Sequence, residues 1–275
     1  MYLAWKVDRL FQGAVFFWGS LAVFLILLST YHAGEYFDRD EDCLSKSWFN
    51  SRFAGGSGII PSGILSAAVP FWTSILSLLA AFVIGLVLQF HYQTGPYTLL
   101  LGALGALPGF FYSTRPIRLV ERGVGELFIA FCYGWLPVAT GFYLQAGYFH
   151  PLIHWLSIPV GLSIFNVILL NEFPDYEADK AVGKKNLLVR LGPKAGIVIY
   201  VVATATSWLT MATAVGAGVS AKVWFVYFPV LILSAIILFL IAKKWQDKPQ
   251  SLEVLCGLNI AINLGTTCSL FLALS

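Results

Sequence analysis

Long apolar runs broken by short polar and charged stretches set the pattern of this chain. Taken in order they lie at about 11–33, 67–91, 95–113, 123–146, 150–173, 194–217, 222–242 and 251–274. As helices, each is long enough to cross the roughly 30 Å of hydrocarbon in a bilayer. Only helices or closed barrels satisfy their backbone groups in that medium. The pattern therefore predicts an all-α, polytopic transmembrane bundle of eight helices, forming one domain over residues 1–275. Pro70, Pro108, Pro137, Pro159 and Pro229 fall inside or near the ends of these runs, where neighbouring helices re-satisfy freed backbone groups. Gly102, Gly105 and Gly109 read as positions of close helix approach. Asn166, Asn259 and Asn263 are polar groups within apolar runs, and interhelical hydrogen bonding accounts for them.

Composition agrees with this pattern. Of the 275 residues, 58% are hydrophobic and only 11% charged, which excludes an ordinary soluble domain. An aromatic share of 16% suits interfacial belts and a lipid-like cavity. Cys43, Cys132, Cys256 and Cys268 show no metal-ligand spacing and read as free thiols, mostly in helices. Lys6, Asp8 and Arg9 precede the first run, as in a signal peptide, but that run continues through Ser29–His32 into an acidic stretch that cleavage would separate from its helix. Eight crossings place the segments near 34–66, 114–122, 174–193 and 243–250 on one side. Of the 17 Lys and Arg, all but Lys6, Arg9 and Lys222 fall there, which by the positive-inside rule marks the cytoplasmic face of a cell (inner) membrane. No nucleic-acid partner is expected.

Two acidic stretches, each directly following an apolar run, carry the candidate chemistry. In the stretch from Asn171 to Lys185, Asn171, Asp175 and Asp179 recur every four residues and share a face if the preceding helix continues. Carboxylates suit hard cations, and Mg²⁺ is commonly held by one or two of them together with substrate phosphates. Lys180, Lys184 and Lys185 stand by to contact the same anion. The earlier stretch, Gly34 to Asp42, repeats the spacing as Asp38 and Asp42. Facing each other, two such clusters would hold two Mg²⁺ ions around one diphosphate; apart, they would be solvated loop charges. Arg115, Arg118 and Arg122 are candidate diphosphate clamps, weighed against simple topology signals. Glu126 sits at the start of an apolar helix, where an ionisable group faces a cavity or partner. Glycines after Arg52 allow backbone N–H groups to approach phosphate, with a plain turn as the competing reading. His32 reads as a hydrogen-bonded interfacial residue, and His150 and His154 fall away from both acidic stretches.

These motifs resemble those of the UbiA superfamily of membrane prenyltransferases, which carry N-D-x-x-D-x-x-x-D and D-x-x-x-D. The run Asp175–Gly192 is similar to the second motif and its tail; the first is altered, with Gly34 for Asn and Glu35 for Asp. The GGS segment at Gly55–Ser57 and the Tyr112-x-x-x-Pro116 and Gly123-x-Gly125-Glu126 pieces resemble the branch that prenylates naphthoates on the menaquinone pathway. The family fold has nine helices, so the resemblance implies that its first is absent here.

The resemblance implies a Mg²⁺-dependent transferase that joins an isoprenyl diphosphate to an aromatic quinone precursor. Asp38, Asp42, Asp175 and Asp179 would be its metal ligands. Arg52, Arg115, Arg118, Arg122, Lys180, Lys184 and Lys185 would bind diphosphate, and Asn171, Glu35 and Tyr112 would bind substrate. Glu126 or Glu35 would take the proton or hold the acceptor hydroxyl, and the prenyl tail would lie against membrane lipid. The alternatives are a transporter or lipid-binding relative, or an enzyme for hydroxybenzoate, homogentisate, a chlorin or a glycerol phosphate lipid. No pair of interrupted helices across the two halves supports transport. The altered first motif leads to the expectation that Mg²⁺ binds more weakly there than at the second.

Overall fold

A computed structural model describes residues 1–48, 53 and 56–275. Among them every regular element is helical. A short α1 (Tyr2–Asp8) precedes α2 (Gly13–Phe37) and α3 (Arg39–Trp48). Next come α4 (Ala68–Leu86), extended by a π-turn over Val87–His91, and α5 (Thr98–Phe110). α6 (Gly125–Ala130) runs through a π-turn at Phe131–Trp135 into α7 (Leu136–Ala146). Then follow α8 (Leu152–Ala181), α9 (Leu187–Leu191), α10 (Pro193–Ala214), α11 (Val223–Ala242) and α12 (Pro249–Leu274).

All eight expected apolar segments are helices, and seven are long and apolar enough to span a membrane. The segment read as 95–113 is shorter than expected. Its helix α5 has 13 residues, roughly 20 Å at ~1.5 Å per residue, against ~30 Å of hydrocarbon. Gly95, at φ 113°, turns the chain before it; a Cβ there would collide with the Tyr143 hydroxyl. The outward faces are what an integral membrane protein requires: Phe225 is 87% exposed, and Phe24, Leu79 and Phe90 are exposed as well.

Two compact units are distinguished by their internal packing. The first comprises Met1–Cys43, Gly56–Leu119 and Leu136–Ile153; the second comprises Leu44–Gly55, Val120–Trp135 and His154–Ser275.

In the first unit α2 packs on α4, α5 and α7. Val15, Ile84, Leu88 and Leu144 form its apolar core, and the Ser74 hydroxyl donates to the Ser29 carbonyl at 2.9 Å across α2 and α4. Gly109 lies against Thr30 and Gly105 against Leu136, as close-approach glycines should. Gly102 does not: a side chain there would meet nothing within 4 Å among the described residues.

In the second unit α10 packs on α11, and α11 on α12. The expected interhelical bonds from asparagine are present. Asn166 Nδ2 donates to Thr204 Oγ1 at 2.9 Å, Asn259 Oδ1 accepts from the Tyr200 hydroxyl at 3.0 Å, and Asn263 Nδ2 donates to Ser163 Oγ at 2.8 Å. Gly134 and Gly161 meet backbone to backbone, where an added Cβ would stand 2.5 Å from the opposing Cα.

α8 is the element that matters most for chemistry, because it runs unbroken through the acidic stretch despite Pro159 and Pro174. Pro174 has no N–H for the Leu170 carbonyl one turn earlier. The buried Cys256 thiol of α12 donates to that carbonyl at 3.7 Å.

Candidate active site

The acidic motif of the first unit straddles a bend. α2 ends at Phe37, Asp38 takes φ −99° and ψ 0°, and α3 begins at Arg39. Helical hydrogen bonding continues across the bend, from Asp38 N–H to Gly34 and from Asp42 N–H to Asp38, each at 2.9 Å. Gly34, Asp38 and Asp42 therefore share a face, as their spacing predicts. Asp38 accepts from the Ser113 hydroxyl and from Arg118 Nη2 at 2.8 Å, and the same nitrogen reaches Glu41 Oε1 at 2.7 Å. Arg118 is buried, with a backbone φ of 43°, a conformation that non-glycine residues adopt at a cost and that surrounding contacts must hold. Glu41 Oε2 is buried without a hydrogen-bond partner among the described residues.

The Arg118 guanidinium pairs with two carboxylates of the first acidic motif, because a buried charge needs paired counter-charges. Glu35 meets the segment that follows the glycines. Its longer side chain accepts from Ser57 N–H at 2.9 Å and from the Ser57 hydroxyl at 2.6 Å, tying down the chain just after the glycines. Gly56, at φ 57°, lies so close to the Asp42 carboxylate that a Cβ would collide with it. Gly56 and Ser57 thus lie against the acidic motif, while Arg52 and Gly55 lie outside the described residues. Arg115 is exposed and Tyr112 half-buried. His32 Nδ1 bonds the Leu28 carbonyl at 2.9 Å, consistent with an interfacial role.

In the second unit, Asn171, Asp175 and Asp179 lie on consecutive turns of α8. Asp179 is buried and organises the segment after the helix. Its Oδ1 meets Lys184 Nζ at 3.2 Å, its Oδ2 accepts from Asn186 Nδ2 at 2.7 Å, and its backbone carbonyl accepts from Lys184 N–H at 2.9 Å. Asn186 caps α9, with Oδ1 accepting from Val189 N–H at 2.8 Å. Asn171 Oδ1 is buried without a hydrogen-bond partner among the described residues. Lys180 lies over the Tyr176 ring at 5.8 Å, and Lys185 and Arg122 are exposed.

Glu126, read from the sequence as a proton acceptor, is 1% exposed at the start of α6, and its Oε1 accepts from Leu187 N–H at 2.8 Å. The neighbouring Leu188 N–H donates to Glu172 Oε2 at 3.3 Å. Glu41, Ser113, Glu172 and Asn186 were not singled out by sequence reasoning. For Glu172 a signal existed: a carboxylate beside Asn171 at the end of an apolar run is costly unless it has a partner.

Among the described residues no three His, Cys, Asp or Glu side chains are grouped so as to hold a metal ion by themselves, but the α8 row offers donors of the right chemistry. An orphaned amide oxygen at Asn171 next to carboxylates one and two turns on is an all-oxygen set suited to Mg²⁺.

A helical membrane fold with one acidic face in each unit defines the class. The chain belongs to the UbiA prenyltransferase family, whose pattern matches residues 1–262. A 1,4-dihydroxy-2-naphthoate octaprenyltransferase of Bacillus subtilis is 27% identical over 129 residues, covering 47% of this chain and 42% of the relative. One of the same name from Haemophilus influenzae is 25% identical over 271 residues, 95% of this chain and 86% of the relative. The matched part spans about a third of several other curated relatives, 30% and 34% of two of them. Among solved structures, the apo form of a UbiA homolog from Aeropyrum pernix K1 matches with a TM-score of 0.74 at 15% identity, covering 98% of this chain and 94% of that one. A UbiA homolog from Archaeoglobus fulgidus bound to DMAPP and Mg²⁺ matches with a TM-score of 0.60 at 16% identity over 90% and 88%.

Proposed function

We propose that this protein transfers a prenyl group from an isoprenyl diphosphate to an aromatic acceptor of the naphthoate class. The two units would act as one functional domain, with the acidic motifs on the cytoplasmic side. The observation that carries the reading is the row on α8: a buried, unpartnered amide oxygen at Asn171 followed by Asp175 and Asp179, with Lys184 alongside. A row of acceptors that must recruit a cation, beside a lysine, is built for a metal-bound polyanion. The naphthoate octaprenyltransferases among the relatives and the homolog solved with DMAPP and Mg²⁺ support both halves of the reading.

When bound, Mg²⁺ would supply charge neutralisation of the departing diphosphate. Asn171, Asp175 and Asp179 would hold it in the second unit, and Asp38 and Asp42 in the first. Lys184, already fixed against Asp179, adds positive charge where the leaving group accumulates negative charge. Apolar helices keep water from the developing allylic cation, and aromatic faces stabilise it. The C1–O bond of the prenyl diphosphate breaks, a bond forms from C1 to an aromatic carbon, and the ring proton and diphosphate leave.

The test uses the purified protein in lipid nanodiscs with Mg²⁺, radiolabelled prenyl diphosphates of several lengths, and naphthoate, hydroxybenzoate, homogentisate and chlorin acceptors. Prenylated naphthoate that disappears with EDTA and returns with Mg²⁺ is expected. Turnover of a different acceptor alone would move the protein to another branch of the family. No product from any acceptor would overturn the reading.

A further inference from the structure

The buried carboxylates Glu126 and Glu172 lie outside the metal-binding row, yet both grip the segment that follows it. Glu126 Oε1 and Glu172 Oε2 accept from the consecutive amides of Leu187 and Leu188, at 2.8 and 3.3 Å. The residue immediately before those amides is Asn186, whose side chain caps α9 and donates to Asp179 Oδ2. A second brace comes from the same stretch of chain as Glu126. Arg190 Nε donates to the Lys185 carbonyl at 2.6 Å, and its side chain lies against Gly123, which at φ 68° has no Cβ to block it.

We propose that Glu126 and Glu172 are positioning residues that clamp the first turn of α9 and, through Asn186, aim the Asp179 carboxylate. On this reading Glu126 acts by holding the backbone rather than by moving a proton. Its Oε1 accepts from a backbone amide, while its Oε2 is buried with no hydrogen-bond partner among the described residues. Two acceptors on adjacent N–H groups fix both the direction and the height of a five-residue helix too short to hold itself. Partners that orient a metal ligand typically matter by roughly 10- to 100-fold in metal affinity or activity.

The role in catalysis rests on the proposed prenyl transfer, and the test separates the two. Hydrogen–deuterium exchange of the intact protein in nanodiscs, with no substrate present, should show faster exchange at Leu187–Leu191 in Glu126→Ala and in Asn186→Ala than in wild type. Glu126→Gln keeps an acceptor for Leu187 N–H and should exchange like wild type. In the transfer assay, Glu126→Ala and Asn186→Ala should each raise the half-saturating Mg²⁺ concentration by about tenfold or more. Glu126→Gln should stay within about threefold of wild type, and Glu126→Ala with Asn186→Ala should be no worse than the more affected single change. A Glu126→Gln protein as inactive as Glu126→Ala, with wild-type exchange and Mg²⁺ dependence, would show that the carboxylate itself reacts and would overturn the proposal. Unchanged exchange in Glu126→Ala would overturn it as well, whether or not any acceptor is prenylated. If Glu126→Ala fails to fold, Glu126→Gln and Asn186→Ala decide the question by the same readouts.

Discussion

Replacing Arg118 by Ala should destabilise the protein by an amount that follows from its two partners. Its Nη2 serves Asp38 at 2.8 Å and Glu41 at 2.7 Å, and its side chain is 7% exposed against 17% and 22% for the two carboxylates. Removing one member of a fully buried ion pair costs about 3–5 kcal/mol, chiefly because the remaining charge is stranded. Here two carboxylates would be stranded, but both keep some access to water, and Asp38 keeps the Ser113 hydroxyl. The lower end, about 3 kcal/mol, is therefore expected, equivalent to roughly 6–10 °C in melting temperature for a chain of this size. Arg118→Lys should fall between, since one ammonium point charge replaces a planar fork. Glu41→Gln in the Arg118→Ala background should recover part of the loss by removing one of the two stranded charges. The assay is thermal unfolding in nanodiscs followed by intrinsic fluorescence, with size-exclusion profiles as a check on folding. A melting temperature within about 1 °C of wild type for Arg118→Ala would refute the reasoning, because the guanidinium would then be dispensable to the acidic bend.

Asp175→Ala should lower turnover by about 10²–10³-fold with the melting temperature little changed, whereas Asp179→Ala should lose turnover and also loosen the segment it bonds through Lys184 and Asn186; equal effects of both on stability, read by thermal unfolding, would contradict this difference. Glu35→Asp should weaken anchoring of the glycine segment by about 1 kcal/mol per lost bond to Ser57, visible as faster limited proteolysis near residues 56–60; the substitution toward the family pattern is thus expected to harm rather than repair, and higher turnover would reverse that view. Single cysteines at 115, 185 and 243 in a cysteine-free background should all be labelled from the cytoplasmic side, and one at 148 from the other; mixed labelling among the first three would overturn the proposed sidedness.

Hydropathy alone was enough to locate the eight apolar helices, though not the length of α5 or the short helices α1, α3 and α9, because burying a backbone in hydrocarbon is decided locally along one segment. The i, i+4 row of Asn171, Asp175 and Asp179 was legible for a similar reason: it needs only that α8 continue, and a helix imposes the same geometry wherever it forms. The free thiols and the interhelical asparagines followed from composition and spacing in the same way. What decided the roles of charged groups was contact across sequence distance. Arg118 finds Asp38 80 positions away, Ser113 finds Asp38 at 75, and Glu126 finds the Leu187 amide at 61. An arginine in a loop and a glutamate at a helix start look the same in sequence whether they meet a ligand or another part of the chain. Gly102 and Gly109 share the same helix and the same residue type, yet only Gly109 meets a neighbour, because the direction of each face is set by the packing of α5 on α2. Side chains that must neutralise or satisfy a buried partner take their meaning from what the fold brings to them, and only the tertiary structure supplies that.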